Sequence, residues 1–485
     1  MTISVDYIDE VIARGPYEAS WESLSRHRVP EWFSQAKFGI FTHWGLYTVP
    51  EFGNEWYSRN MYIEGSPEFQ HHVLTYGAQK DFGYKDFIAQ FTAENFDASQ
   101  WLEAFADAGA QYYVPVSEHH DGYQMYASAL SPWNTVETGP HRDIIAELKQ
   151  ATQDQGLHFA TSNHRAEHWW FMGHGREFDS DISRGLYEDF YGPAQVEPDN
   201  QDIHSRPEPS QEFLEDWLLR NCEIVDKYQP EIMYFDWWIQ HTAFKPYVRK
   251  FAAFYYNRAH ENHRSASICS KDDAMAWGSS IIDVERGGFD NAQPFVWQMD
   301  TSIARNSWSY TRDLEYKSAT EIITTLVDVV SKNGNLLLNV GPRADGSLAP
   351  YDRELLHRVG TWLRAHGEGI YASRPWKIAG EGPTHIQQGM FSESCTQWTS
   401  RDIRFTTRDG FIYAFCMNPE GQQDVLIRSF ARYHNGIKPV FHGEIAEVEL
   451  LGYGSVSYER RDEGLRLPVI GVDRSQPIAY KISVK

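Results

Sequence analysis

Tyr112-Tyr113-Val114-Pro115-Val116 is followed at once by Ser117-Glu118-His119-His120-Asp121, and this is the stretch on which the fold turns. The first five residues are apolar and read as a β-strand; a cluster of ionisable groups stands at the strand's end. Upstream, Ala98 to Ala108 has a helical pattern, with Trp101, Leu102 and Phe105 on one face. Downstream comes a helix over Arg142 to Thr152, with Ile144, Ile145 and Leu148 apolar, and then a strand over Leu157 to Thr161. The same alternation continues in both directions. Phe38-Gly39-Ile40-Phe41 is the first clear strand, and Ile232 to Phe235 follows a long helix over Gln211 to Tyr228 whose stripe includes Phe213, Leu214, Trp217 and Leu218. Further strands are expected at Ala266 to Cys269, Pro294 to Gln298 and Leu336 to Asn339, with a helix over Glu321 to Ser331. Strands separated by helices predict parallel pairing in an α/β fold. Some six or seven units over about 370 residues fit a (β/α) TIM-like barrel with long insertions better than an open sheet. The insertions fall at Glu51 to Gly83 and Glu167 to Pro209.

The texture changes after a helix over Tyr351 to His366. Ile403 to Thr407 and Phe411 to Phe415 are alternating runs joined through Arg408-Asp409-Gly410, and Asp-Gly in that setting is a hairpin signal. The expected organisation is a catalytic barrel over residues 1–370 and an antiparallel β-sandwich over residues 371–485.

Composition narrows the function. The chain has 485 residues and a net charge of −23, which argues against nucleic acid and against an anionic membrane surface as partners. No run reaches the ~18 apolar residues of a membrane helix. Cys222, Cys269, Cys395 and Cys416 are far apart with no CxxC pairing, so neither a structural zinc nor a disulfide framework is expected. The amino terminus lacks the basic start and apolar run of a secretory signal. A cytoplasmic protein is expected, or a secreted one whose signal has been removed. Gly334 and Gly341 read as turn residues, since no Lys-Ser or Lys-Thr follows to make a phosphate loop. Aromatic residues make up 15% of the chain, with 17 Trp and 27 Tyr; an excess over core needs suits stacking on the flat apolar faces of sugars.

In a barrel of this kind the site lies at the carboxyl ends of the strands. Thr42, His43 and Trp44 follow the first strand; Glu118, His119, His120 and Asp121 the second; Asn163, His164 and Arg165 the third. Asp236, Trp237 and Trp238 follow the fourth, and Lys271, Asp283 and Glu285 come after the fifth. Three chemistries can use such a set: glycoside hydrolysis by paired carboxyls, metal-assisted hydrolysis by His and carboxylate ligands, and sugar binding without turnover. Plainer readings apply residue by residue. Asp236 is placed to cap the next helix, His43 to be a hydrogen-bonded core residue, and Glu285 to pair with Arg286. His119 and His120, adjacent on an extended chain, are expected to point apart, which weakens them as a metal pair.

Trp32-Phe33-Ser34-Gln35-Ala36-Lys37-Phe38-Gly39-Ile40-Phe41-Thr42-His43-Trp44-Gly45, with Asn54-Glu55-Trp56-Tyr57 soon after, resembles the opening motif of the α-L-fucosidases of glycoside hydrolase family 29. His119-His120-Asp121-Gly122-Tyr123 is similar to that family's His-His-Asp-Gly-Phe, and Asn333-Gly334-Asn335-Leu336-Leu337-Leu338-Asn339-Val340-Gly341-Pro342 resembles its late signature. The motifs occur in family order. The resemblance implies a (β/α) barrel with a C-terminal β-sandwich and hydrolysis of α-L-fucosides with retention, on fucosylated oligosaccharides or glycoconjugates. It implies Asp236 as nucleophile, in Met233-Tyr234-Phe235-Asp236-Trp237. The Asp283-Val284-Glu285-Arg286-Gly287 segment looks like the subgroup that carries Glu-Arg-Gly ahead of a Trp-Gln strand, here Trp297-Gln298, and makes Glu285 the acid/base with Asp283 as fallback. By the same resemblance His43, Glu55, Trp56, His119, His120 and His164 hold sugar hydroxyls, Lys271 stands beside the nucleophile, and Trp308 and Tyr234 pack the apolar face and 6-methyl. No cofactor and no metal is implied. A homo-oligomer is left open.

Physics assigns the roles. Asp236 must be ionised, so its surroundings should donate hydrogen bonds; Glu285 must be protonated near neutral pH, so burial or negative neighbours should raise its pKa. Their carboxyls should lie ~5–5.5 Å apart. Trp44, Trp56, Tyr123, Tyr234, Trp237, Trp238 and Trp308 are expected beside the site, and Trp101 and Trp217 in the core. The loops at Glu51 to Gly83 and Glu167 to Pro209 are expected to set linkage preference. Alternatives are a related exo-glycosidase such as an α-L-galactosidase, a fucose-binding protein without turnover, and a metal hydrolase.

Overall fold

A computed structural model of the chain describes residues 3–196, 207–433, 436 and 438–485. Eight parallel strands close into a barrel: β1 (Phe38–Thr42), β2 (Tyr112–Glu118), β3 (His158–Asn163), β4 (Ile232–Phe235), β5 (Ser267–Lys271), β6 (Ile281–Asp283), β7 (Trp297–Ser302) and β8 (Gly334–Val340). Closure is made by β1 on β8, where Phe38 pairs Leu336 and Thr42 pairs Val340. The TIM-like expectation is met. The strand missing from the pattern is β6; at three residues it is too short to show a period.

The unbroken apolar runs follow from burial on both faces, as parallel strands require. Alternate side chains fill the barrel interior, among them Phe41, Tyr112, Val114, Val116, Ala160, Ile232 and Tyr234. Those between, such as Phe38, Ile40, Tyr113 and Phe159, pack outward with the helices. The interior is filled to the point of fixing one glycine: a Cβ on Gly39 would sit 2.4 Å from Tyr112 Cζ. The helices start where caps permit. Ser210 opens Gln211–Tyr228 by accepting from the Phe213 amide, and Ser318 with Glu321 forms a capping box for Ala319–Ser331. Among the described residues no helix is long and apolar enough to cross a membrane. Cys222, Cys269, Cys395 and Cys416 are free thiols.

Beyond the helix Pro350–His366, the described residues form nine strands: β9 (Arg374–Glu381), β10 (Ile403–Arg408), β11 (Phe411–Cys416), β12 (Asp424–Ile427), β13 (Ile445–Leu450), β14 (Gly454–Ser455), β15 (Glu459–Arg460), β16 (Leu465–Pro468) and β17 (Ile478–Val484). Six of them form a sheet in the order β14-β13-β17-β11-β10-β9, and three form β12-β16-β15. The sheets share one core, with Ile403, Phe405, Ile412 and Ala414 against Val425, Ile427, Leu465 and Leu467, so this part is an antiparallel sandwich. The hairpin read from sequence is present. Asp409 and Gly410 take φ of 51° and 85° between β10 and β11, the left-handed pair that matches strand twist. Part of the Glu167 to Pro209 insertion, residues 197–206, lies outside the described residues.

Candidate active site

The ends of the barrel strands surround a cavity of about 410 Å³. All eleven residues singled out from the sequence line it: His43, Glu55, Trp56, His119, His120, His164, Tyr234, Asp236, Lys271, Glu285 and Trp308. Five more share the wall: Phe41, Glu167, Trp237, Asp300 and Phe391.

Lys271 is the electrostatic centre. Its ammonium, on the last residue of β5 and 2% exposed, donates to Asp236 Oδ1 at 2.5 Å and to Glu285 Oε2, with Asp300 Oδ2 4.0 Å away. Burial alone would strip the proton from this lysine, but Asp236 and Glu285 hold its pKa well above the ordinary value. Asp236 also accepts from His164 Nδ1 at 2.9 Å and lies 3.5 Å from His120 Nε2. Burial would raise the Asp236 pKa; Lys271 and His164 outweigh it and keep the carboxyl well below the usual range. Glu285 behaves oppositely. Burial, its largest influence, lifts it to about 7 against the pull of Lys271, with Asp300 and Asp236 adding to the rise. Two carboxyls that share one cation are thus pushed apart in pKa, which separates an ionised group from a protonated one.

Three of the cavity histidines are polar walls without charge. Burial lowers His43 and His119 well below the ordinary imidazole value and His120 to about 3. His43 Nδ1 donates to Asn339 Oδ1 at 2.7 Å, which leaves its Nε2 as an acceptor. His164 Nδ1 donates to the Asp236 carboxylate at 2.9 Å, and its Nε2 lies 2.9 Å from Ser162 Oγ. Neutral imidazoles that mix donors and acceptors are complementary to hydroxyl groups. His119 and His120 do not point apart as an extended chain would place them: β2 ends at Glu118, and the following turn brings both rings to the cavity, 4.3 Å apart at 67°.

Glu55 accepts from the Trp308 backbone amide at 2.9 Å, and burial raises its pKa. Trp308 packs against His43, ring centres 5.2 Å apart, and Arg286 covers the Trp308 ring at 4.7 Å. Tyr234 donates to Asp300 at 2.9 Å. The expected aromatic set needs correction at three places. Trp44 packs on Phe91, Phe96 and Trp101; Tyr123 is buried with its hydroxyl on Thr138; Trp238 is fully buried beside Trp170 and Phe244. All three belong to the core, and Phe41 and Phe391 are cavity residues the sequence reading missed.

Asp283 and Glu285 also separate. Asp283 closes β6 and points into the barrel, fully buried, accepting from Gln298 Nε2 at 2.8 Å. The chain then leaves the strand, with Arg286 at φ 42°, and Glu285 faces the cavity. Asp300 and Glu167 were missed because one lies inside a strand and the other in a short 3-10 turn, with no motif to mark them. Two triads, His43 with His119 and His164, and His120 with His164 and Asp236, have ligand atoms within 4.8 Å of one another and can hold a metal ion.

Residues 6–368 match the family model described as Alpha-L-fucosidase. A tissue alpha-L-fucosidase of Bos taurus is 33% identical over 383 residues, 75% of this chain and 74% of that protein. A plasma alpha-L-fucosidase of Homo sapiens is 32% identical over 379 residues, 74% of this chain and 73% of that protein. The crystal structure of Thermotoga maritima alpha-fucosidase in complex with a mechanism based inhibitor superposes with a TM-score of 0.74 at 28% identity, covering 96% of this chain and 99% of that one.

Proposed function

Starting from the fact that the chain belongs to the alpha-L-fucosidase family, we propose that Asp236 is its nucleophile and Glu285 its acid/base. The protein is a glycoside hydrolase, an α-L-fucosidase acting on terminal fucosyl residues of oligosaccharides or glycoconjugates. One observation carries the assignment of roles: both carboxyls bind the single Lys271 ammonium, yet one is held far below the ordinary carboxylate range and the other near 7. Two oxygens that bind one ammonium through bonds of 2.5 Å or less lie no more than ~5 Å apart. That supports retention, which uses ~5–5.5 Å, over inversion at ~6.5–9.5 Å.

Asp236 attacks the anomeric carbon while Glu285 gives its proton to the leaving oxygen. A fucosyl ester of Asp236 results. Glu285, now ionised, takes a proton from water, and that water opens the ester. As Asp236 loses charge to the ester, Lys271 is left to neutralise Glu285, so one cation serves the anion present at each stage. His43, His119, His120, His164 and Glu55 are assigned to the sugar hydroxyls, with Trp56 beside them, and Trp308 and Tyr234 to the apolar face and methyl.

The decisive variant is Asp236→Gly. Turnover should vanish, and azide should restore it with a β-fucosyl azide product; full activity without azide would refute the assignment. The division of the chain near residue 370 is likewise proposed, supported by barrel closure at β8 and by the start of β9 at Arg374; limited proteolysis should make its first cut near that point. A cytoplasmic location draws support from the four free thiols, and cell fractionation tests it. Sedimentation measures whether the chain self-associates.

A further inference from the structure

The cavity wall contains one residue from beyond the barrel. Phe391 lies in the segment between β9 and β10 and also beyond residues 6–368, over which the chain matches its family. That segment leaves the sandwich and runs as a strap along the Glu285 stretch. Gly389 exchanges backbone bonds with Gly288, the Phe391 amide donates to the Glu285 carbonyl at 2.8 Å, and the Glu393 amide donates to the Arg286 carbonyl at 2.7 Å. The Glu393 side chain then pairs with the nearly buried Lys317 at 2.5 Å, pinning the strap from its far end.

What the strap presents is unusual twice over. Phe391 has φ 53°, the left-handed region that an aromatic residue rarely adopts. It is also 60% exposed. A strained backbone that displays a ring to solvent beside a catalytic cavity is held there by its surroundings for a use. The ring lies 6.2 Å from Trp237 at an interplanar angle of 21°, so the two are near-parallel neighbours, both lining the cavity. Trp237 in turn donates from Nε1 to Glu285 Oε2 at 2.9 Å. The pair thus runs from Glu285 through Trp237 to the exposed Phe391 ring.

Taking the proposed function as given, we infer that Trp237 and Phe391 form the platform for the leaving-group sugar, stacking on the C–H face of the pyranose whose oxygen Glu285 protonates. The direction follows from the chemistry. The bond cleaved lies at Glu285, the fucosyl ring occupies the histidine side, and whatever the fucose is attached to must pass Trp237 and Phe391. Past Phe391 a second cavity, of about 430 Å³ and lined by Arg286, Arg305, Lys317 and Glu393, offers polar groups to the hydroxyls of that sugar. Selection among leaving groups thus involves a residue of the C-terminal part, besides the barrel loops at Glu51 to Gly83 and Glu167 to Pro209.

The test compares α-L-fucosyl fluoride, whose leaving group has no ring to stack, with an α-L-fucosyl disaccharide that the wild type cleaves. In Phe391→Ala the disaccharide-to-fluoride ratio of kcat/KM should fall about three- to ten-fold, the effect of one aromatic contact, and Phe391→Trp should restore most of it. A ratio that stays constant in Phe391→Ala, whether both substrates slow together or neither does, overturns the platform. A wild-type protein that cleaves neither substrate overturns the fucosidase reading and the platform with it.

Discussion

Trp237 Nε1 donates to Glu285 Oε2 at 2.9 Å, so the residue next to the proposed nucleophile steadies the proposed acid. The bond favours the ionised form of Glu285, because an indole can donate but not accept. Glu285 sits near 7 through burial, opposed by Lys271. In the proposed role the protonated form is the working one, so kcat/KM is expected to fall as the pH rises through about 7. Trp237→Phe removes one stabiliser of the anion and should shift that limb upward. A pH–rate profile of the two proteins checks the direction; a downward shift would contradict it.

Glu285 and Asp283 are distinguished by their dependence on the leaving group. Glu285→Ala should lose about 10²–10⁴-fold on a disaccharide, whose leaving oxygen needs a proton, and far less on α-L-fucosyl fluoride. Asp283 faces Gln298 and Tyr234 inside the barrel, so Asp283→Asn should alter stability without that leaving-group dependence. The reverse pattern, measured as kcat/KM on the two substrates, would move the acid to Asp283.

Much of this site was legible because barrel strands are apolar and their ends are not. The ionisable residues following Phe41, Val116, Thr161 and Phe235 stand out at once, and topology brings them together whatever the length of chain between them. Three kinds of residue escaped. Asp300 hides inside β7, where a strand-end rule does not look. β6 is too short to carry a period, so the relation of Asp283 to Glu285 could not be read from parity. Phe391 reaches the cavity through the strap, a tertiary contact made about one hundred residues after Glu285 in a stretch without pattern. Trp44, Tyr123 and Trp238 erred the other way: nearness in sequence to a site residue says nothing of which way a ring points.

Lys271 should be the most costly single replacement outside the two carboxyls. Lys271→Met leaves Asp236 and Glu285 as like charges in a buried site, and one of them must take up a proton. The Asp236 pKa then rises, an acidic limb appears at higher pH than in the wild type, and kcat should drop about 10²–10³-fold. Breaking a buried pair from one side typically costs about 3–5 kcal/mol. Because the folded state would now prefer protonated carboxyls, stability should decline as the pH rises above the ordinary carboxylate range. Thermal unfolding across pH reports this; a variant as stable and active as wild type would show that the cation is dispensable.

Asn339 lies in the late motif and touches no predicted reacting atom, yet it orients His43 and Trp308 in the pocket proposed for the sugar. Its Oδ1 accepts from both the backbone and Nδ1 of His43, and its Nδ2 donates to the Trp308 carbonyl at 2.6 Å. Asn339→Ala leaves three buried groups unpaired and frees the His43 tautomer. The loss should fall on binding: a KM and an inhibition constant for free fucose both raised about ten-fold or more, as one to two lost buried bonds imply, with kcat reduced less. A change confined to kcat would place Asn339 with the reacting groups instead.

Gly287 lies hard against the strap. A Cβ there would stand 1.9 Å from the Gly389 carbonyl oxygen, a backbone atom that cannot swing aside as a side chain can. Gly287→Ala must therefore lift the strap from Gly288 and loosen the bond from the Phe391 amide to the Glu285 carbonyl. Overpacking of this kind costs about 1–3 kcal/mol, and the melting temperature should fall accordingly. Catalysis should suffer in a particular way. With the Glu285 backbone less fixed, kcat on a disaccharide should drop, whereas the inhibition constant of fucose, which reports the histidine side of the cavity, should move much less. Equal losses in both would mean that the disturbance spreads across the whole barrel mouth. No change in melting temperature or kcat would mean that the strap yields freely and does not hold Glu285.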